Sequence, residues 1–225
     1  METEVKLSFK DKEHLYGVTK ADFFRKLCID ASEPEAVLLE NTYIDTPDMN
    51  ISRRSGAIRV RHYCSNNVDK YEFTVKYGGG SVGGLHKRME WNVASNDSNF
   101  SIDRFIREAE GGEDPSEMLK EAFGSIKDEN LIVLCSNSFN RTVYTLSYEN
   151  SKIEACFDSG LIKSSDGSRT DEICELELEL IEGDVASLNS LSKMIMEQTG
   201  CVPLDDTKYR RTLAMTLNGE LGNEK

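Results

Sequence analysis

The sequence predicts an α+β fold, mostly β, in which strands close into a barrel with a charged interior and helices pack on the outside. Three observations support this. Period-two alternation of apolar and polar residues dominates the chain in short segments. The polar face of those segments is dense in charge of both signs. Helical patterns are few and amphipathic, and suited to covering the apolar backs of strands.

The alternating segments fall near residues 2–9, 37–45, 56–63, 70–77, 85–94, 131–138, 141–148, 152–158 and 172–182. Residues two apart on a strand point the same way, so in the first segment Glu2, Glu4 and Lys6 share a face opposite Val5, Leu7 and Phe9. Thr19 is expected to cap a helix with Phe23, Phe24 and Leu27 on one face. Arg59 and Arg61 then alternate with Ile58 and Val60, and Glu72, Thr74 and Lys76 with Phe73 and Val75. Arg88 and Glu90 oppose Met89 and Trp91, which assigns Trp91 to the core. Gly78–Gly84 follows no phosphate-loop pattern and reads as a flexible hairpin. Helices are expected near 101–109, after Asp114-Pro115 and near 184–199, with Thr207 capping a last one. Glu175, Glu177 and Glu179 form an uninterrupted carboxylate row backed by Cys174, Leu176, Leu178 and Leu180. Gly78-Gly79-Gly80-Ser81, Gly111-Gly112 and Ser164-Ser165-Asp166-Gly167 read as turns, so residues 1–217 are expected to form one domain, with a polar tail over 218–225.

Composition narrows the function. Forty acidic against 27 basic residues give a net charge of −13, which argues against a nucleic-acid or anionic-membrane binder and sends any anionic ligand to a local basic pocket. The six cysteines show no metal-ligand spacing and read as reduced, packed thiols; His14, His62 and His86 share no spacing that suggests a site. No signal-peptide pattern opens the chain and no run of about 18 apolar residues is present, so a soluble cytoplasmic protein, monomer or homodimer, is expected.

Solvated faces of an open sheet are the simpler account of the charged rows. Recurrence over five strands, with basic and acidic residues on the same faces, favours an interior across which cations and anions, or a ligand and metals, neutralise one another. Three carboxylates in a row repel unless something positive sits among them, and hard divalent cations such as Mg²⁺ or Mn²⁺ prefer carboxylate oxygen. Arginine forks match phosphate oxygens. Carboxylates for metal with Arg and Lys for phosphate is the equipment of phosphoryl transfer.

Seven motifs, in order, carry a resemblance: E-T-E-V-K at the start, Y-I-D-T-P-D at 43–48, A-I-R-V-R at 57–61, F-T-V-K at 73–76, H-K-R-M-E-W at 86–91, C-E-L-E-L-E-L at 174–180 and T-K-Y-R-R at 207–211. Over residues 1–215 the chain resembles the CYTH superfamily, also called triphosphate tunnel metalloenzymes, and within it the CYTH domain of bacterial inorganic triphosphatases. The resemblance implies an eight-stranded antiparallel barrel forming a tunnel, without the helical CHAD domain that often follows, and metal-dependent hydrolysis of a triphosphate, inorganic triphosphate favoured. It implies metal ligands at Glu2, Glu4, Asp158, Glu175, Glu177 and Glu179, of which Glu175, Glu177 and Glu179 have equal parity. It implies a phosphate clamp of Lys6, Arg59, Arg61, Lys76, Arg88, Arg141, Lys208 and Arg211, with Glu2, Glu4, Lys6 and Lys208 at the chemistry. Thr207 stands where the family commonly has Ser and keeps the hydroxyl. Two ions are expected, one at Glu177 and its neighbours and one near Glu2 and Glu4. Adenylate cyclase and thiamine triphosphatase chemistry belong to the same superfamily, and a non-catalytic polyphosphate or nucleotide binder is the alternative outside enzymes. A cyclase needs a base-recognising pocket, and the charged faces offer no aromatic pair for one.

Overall fold

A computed structural model describes residues 1–109, 115–163 and 169–216. Among the described residues there are nine strands: β1 (Glu2–Ser8), β2 (Val37–Asp45), β3 (Gly56–Ser65), β4 (Val68–Val82), β5 (Leu85–Ser95), β6 (Ile132–Tyr148), β7 (Ser151–Lys163), β8 (Thr170–Glu182) and β9 (Val202–Pro203). Their order is β5-β4-β3-β2-β6-β7-β8-β1-β9, and β1 also pairs with β5. Eight strands thus close into an antiparallel ring. Residues 2–5 of β1 pair with β5 and residues 7–8 with β9, while β8 occupies the opposite edge of β1.

The alternation suggests two strands over 131–138 and 141–148, but the structure joins them. Asn140 is paired in register with Leu38 on one side and Ser159 on the other, and the inward alternation Cys135, Asn137, Phe139, Arg141 runs through the supposed gap. The polar pair Asn140-Arg141 imitates a turn because Arg141 faces a polar interior while Asn140, on the opposite face, is exposed to solvent. The glycine-rich segment is also mostly strand: β4 reaches Val82 after a register shift, and Gly83 and Gly84, at φ of +59° and +82°, make the two-residue turn into β5.

Seven α-helices pack on the ring among the described residues: α1 (Lys12–Lys20), α2 (Asp22–Arg25), α3 (Asn50–Arg53), α4 (Ile102–Glu108), α5 (Pro115–Phe123), α6 (Val185–Thr199) and α7 (Lys208–Thr216), of which α7 meets inward-facing residues. Asp11, Ser101 and Asp184 cap α1, α4 and α6 by accepting from the backbone N–H three residues on. Thr19 is not a cap. It lies inside α1 and donates to the Tyr16 carbonyl oxygen, because Asp11 starts the helix eight residues earlier and Leu15 and Val18 already supply its buried stripe. The expected cap at Asp114, the turns at 111–112 and 164–167 and the tail 218–225 lie outside the described residues. No helix among the described residues is long and apolar enough to cross a membrane.

Most apolar strand faces point outward, so the two larger parts of the core lie between ring and helices, while smaller clusters around Phe139 and around Tyr43 and Leu213 lie on the inward side. Val5, Leu7, Phe157, Leu176 and Leu178 pack against Leu15, Leu188, Leu191 and Ile195. Ile58, Phe73, Val75 and Trp91 pack against Phe105, Leu119 and Phe123 on another flank. Each such side chain contributes about 1.5–3 kcal/mol by leaving water. One sector is left open, where the outward residues of β2 and β6 are Glu40, Ser136, Ser138 and Asn140, all exposed.

Inside, Gly160 of β7 faces Phe139 of β6, and an added Cβ would stand 2.6 Å from the Phe139 Cβ and 2.6 Å from the Ser138 carbonyl oxygen. Gly160→Ala is expected to lower stability by about 1–3 kcal/mol, because neither the strand backbone nor the ring can retreat. Urea unfolding measures the loss.

Candidate active site

Strand register decides which inward side chains meet. Glu4 stands opposite Glu179 and Lys6 opposite Glu177 across β1 and β8, while Arg141, Asp158 and Glu175 follow one another across β6, β7 and β8. On the other side Lys76 stands opposite Glu90, and Arg61 opposite Glu72. These inward charges sort into three groups.

In the first, Glu2, Glu4, Glu90 and Glu179 outnumber their cations. Lys76 Nζ lies 3.1 Å from both oxygens of Glu2 and also pairs with Glu90. Arg88 bridges Glu2 (2.8 Å) and Glu4 (2.6 Å). Burial, then the charges of Glu2, Glu4 and Glu90, push the Glu179 carboxyl up to about 7.

In the second, Asp158, Glu175 and Glu177 are fully matched. Lys208 Nζ lies 2.8 Å from Asp158, 2.6 Å from Glu175 and 2.9 Å from Glu177. Arg141 holds Asp158 with two bonds of 2.7 and 2.6 Å and also reaches Glu177, to which Lys6 pairs as well. Burial works against charge here, yet Lys208, Lys6 and Arg141 keep Glu177 well below the ordinary carboxylate range. Burial likewise opposes the charge on Lys208, but Asp158, Glu175 and Glu177 hold it well above an ordinary lysine.

The third group is short of negative charge. Burial, with Arg59 and Arg141 nearby, pulls Arg61 down to about 9. Its Nε rests on the Asn41 amide oxygen (2.9 Å), and its nearest carboxylate contact is Glu72 at 3.6 Å. Arg59 donates to Glu72 (3.0 Å) and Thr74 (2.8 Å), and its buried Nε has no hydrogen-bond partner. An orphaned guanidinium donor beside an anion-poor arginine is costly unless an anion comes to it.

These groups surround a cavity of ≈ 460 Å³. Lys6, Arg59, Arg61, Lys76, Arg88, Arg141 and Lys208 all line it. Arg211, the eighth expected clamp residue, does not; it turns to Asp171 (2.8 Å), Glu175 and the Glu172 carbonyl oxygen, because α7 points successive side chains about 100° apart. Arg210, exposed, joins the rim instead. Of the six expected metal ligands only Glu177 forms part of the wall.

Donor chemistry separates the two carboxylate groups. Glu2, Glu4 and Glu179 offer surplus oxygen donors to a hard divalent cation, and burial beside Glu2, Glu4 and Glu90 raises the Glu179 carboxyl. Asp158, Glu175 and Glu177 are already neutralised by four protein cations and suit an added ion poorly. Among the described residues no three Asp, Glu, His or Cys side chains converge as a ready-made metal cage.

The helix α7 is held at its start. The Thr207 hydroxyl accepts from Arg210 N (3.2 Å), as expected of a cap. Tyr209 packs against Tyr43 with ring centroids 4.8 Å apart and the rings tilted by 36°, in a cluster with Cys135 and Leu213. Its hydroxyl lies 2.6 Å from Ser52 Oγ, which donates to Asp45 (2.7 Å), so Tyr209 is the donor to Ser52. Both rings line the cavity, which corrects the expectation of no aromatic pair; one ring comes from a helix, which strand parity cannot reveal. The pair seats α7, with Tyr43 only 7% exposed, and leaves no open stacking platform on β2. Sequence reasoning also missed Asn41 and Asn137, amides on a face read for charge, and His86, which is buried in the cavity wall with Nε2 2.9 Å from the Leu204 carbonyl oxygen.

The profile of the CYTH domain family matches residues 1–212. An inorganic triphosphatase of Haemophilus influenzae is 29% identical over 187 residues, which are 83% of this chain and 47% of that protein, so the chain spans about half the length of that relative. A proposed adenylyl cyclase of Hippeastrum, described as having a dominant triphosphatase activity, superposes with a TM-score of 0.66 at 16% identity over 96% of this chain and 97% of that one. A proposed adenylate cyclase of Bacillus halodurans does so with a TM-score of 0.56 at 19% identity, over 94% and 96%. At these identities the two structures establish the shared fold.

Proposed function

The chain belongs to the CYTH domain family, and from that premise we propose that it hydrolyses a triphosphate, inorganic triphosphate by preference, to diphosphate and phosphate inside the barrel. The observation that carries this reading is the wall of seven cations, Lys6, Arg59, Arg61, Lys76, Arg88, Arg141 and Lys208, gathered around one cavity in a chain of net charge −13. The inorganic triphosphatase of Haemophilus influenzae supports it from outside the structure.

Phosphoryl transfer asks a protein for position and electrostatics more than for covalent chemistry. Arg59, Arg61 and Arg141 offer planar forks to the phosphoryl oxygens, and the unpartnered Arg59 Nε and the distant Glu72 suit the Arg59–Arg61 end to an anion. Lys6 and Lys208 stand between the carboxylates and the cavity, where they follow negative charge as it spreads in the transition state. Glu2, Glu4 and Glu179 would hold a divalent cation, Mg²⁺ or Mn²⁺, which supplies Lewis acidity towards phosphoryl oxygen when bound. Asp158, Glu175 and Glu177 fix the basic side chains, a scaffold role in place of the ligand role that the resemblance implies.

Phosphate release from inorganic triphosphate, ATP and thiamine triphosphate, each with Mg²⁺, Mn²⁺ or chelator, tests the reading. Metal-dependent release, fastest with inorganic triphosphate and without cyclic AMP, is the expected result. Tight metal-dependent binding with no turnover would replace it with a binding module.

A further inference from the structure

Three buried polar side chains inside the barrel have no part in that chemistry, and they form one line. Arg61 Nε donates to Asn41 Oδ1 (2.9 Å), Asn41 Nδ2 to Asn137 Oδ1 (3.0 Å), Asn137 Nδ2 to Thr212 Oγ1 (2.8 Å), and Thr212 Oγ1 to the Lys208 carbonyl oxygen (2.6 Å). Asn41, Asn137 and Thr212 are 1%, 7% and 0% exposed. Each amide has one workable orientation, since flipping either would set N–H against N–H. The last bond alone is an ordinary helical back-bond. What is unusual is that the same hydroxyl receives a chain begun at the clamp arginine on β3, passing through the register pair Asn41 and Asn137 of β2 and β6.

We propose that Asn41, Asn137 and Thr212 are positioning residues that fix the spacing between Arg61 and Lys208, so that one polyphosphate engages both ends of the cavity. This rests on the triphosphatase reading. Arg61 is otherwise loosely held, with Glu72 at 3.6 Å, and Lys208 rides on a helix whose placement decides where its ammonium stands. A fully satisfied buried network of this kind rigidifies what it joins, whereas apolar residues would fill the same space without fixing a distance.

Two substitutions at Thr212 separate position from packing. Thr212→Val keeps the shape and removes the hydroxyl; Thr212→Ser keeps the hydroxyl and removes a methyl. Thr212→Val is expected to lose about tenfold in kcat/KM for inorganic triphosphate, with Thr212→Ser within about twofold of wild type. Independently of turnover, the protection of Lys208 from an amine-acylating reagent, read by mass spectrometry against exposed Lys152, is expected to fall severalfold in Thr212→Val and not in Thr212→Ser. The reverse order, Ser worse than Val, or a Thr212→Val protein that matches wild type in both readouts, overturns the proposal. If Thr212→Val fails to fold, Asn137→Ser is measured in its place with the same expected losses. Should wild type release no phosphate from any triphosphate, the functional reading fails, and the acylation ratio still decides whether the chain holds Lys208.

Discussion

Glu4→Gln is expected to remove triphosphate hydrolysis while leaving the barrel folded. Glu4 is 2% exposed and lies 2.6 Å from Arg88 and 3.2 Å from Lys6, at the end where carboxylates exceed cations. Glutamine fills the same volume and relieves part of the repulsion that raises Glu179, so unfolding should shift little. Turnover should fall on the order of a hundredfold or more, the scale on which single preorganised electrostatic groups act. Phosphate release with Mg²⁺ and Mn²⁺ measures the first effect and a circular dichroism melt the second. A further sign is expected in the melt itself: Mn²⁺ should raise the midpoint of wild type more than that of the variant. Activity retained at Glu4→Gln would remove Glu4 from the chemistry.

Lys208→Met is expected to be the most destabilising substitution in the interior. One ammonium serves Asp158, Glu175 and Glu177 at 2.8, 2.6 and 2.9 Å, and removing it leaves three buried carboxylates to share Arg141, Lys6 and Arg211. Breaking a buried pair from one side costs about 3–5 kcal/mol. The loss has a pH signature. Glu177 is held below its ordinary 4.5, so its stabilisation is present above that pH and is lost as pH falls through the lower folded value. The deficit of Lys208→Met should therefore be full at pH 7 and shrink below about pH 4.5. Urea unfolding at the two pH values tests this; a variant that unfolds with wild type at pH 7 would show that Lys208 is not the counter-charge.

Much of the ring was legible because period two is a property of a strand whatever surrounds it. Val5 and Leu7 outward with Glu4 and Lys6 inward needed no partner to be read, nor did the row at Glu175, Glu177 and Glu179. What parity could not give is the company each charge keeps. Glu177 and Glu179 look equivalent in sequence, yet one sits among Lys6, Arg141 and Lys208 and the other against Glu2, Glu4 and Glu90, and those neighbours arrive from widely separated parts of the chain. Lys208, Tyr209 and Arg211 were visible only as a short motif, because a helix sends adjacent residues to different places: Lys208 into the interior, Tyr209 to Ser52, and Arg211 to Asp171. The amides at 41 and 137 left no signal, since a buried asparagine and a solvated one are the same letter.

The ring is sealed by its first strand. Residues 2–5 pair with β5 and residues 4–8 with residues 175–179 of β8, so β1 waits on a ribosome until β8 has emerged before it has both neighbours. Contacts so distant in sequence make for slow assembly, and until the seam closes β5 and β8 present unpaired edges open to other chains. The acidic surplus of the chain then has a second use, since nascent molecules of like charge repel one another during that interval.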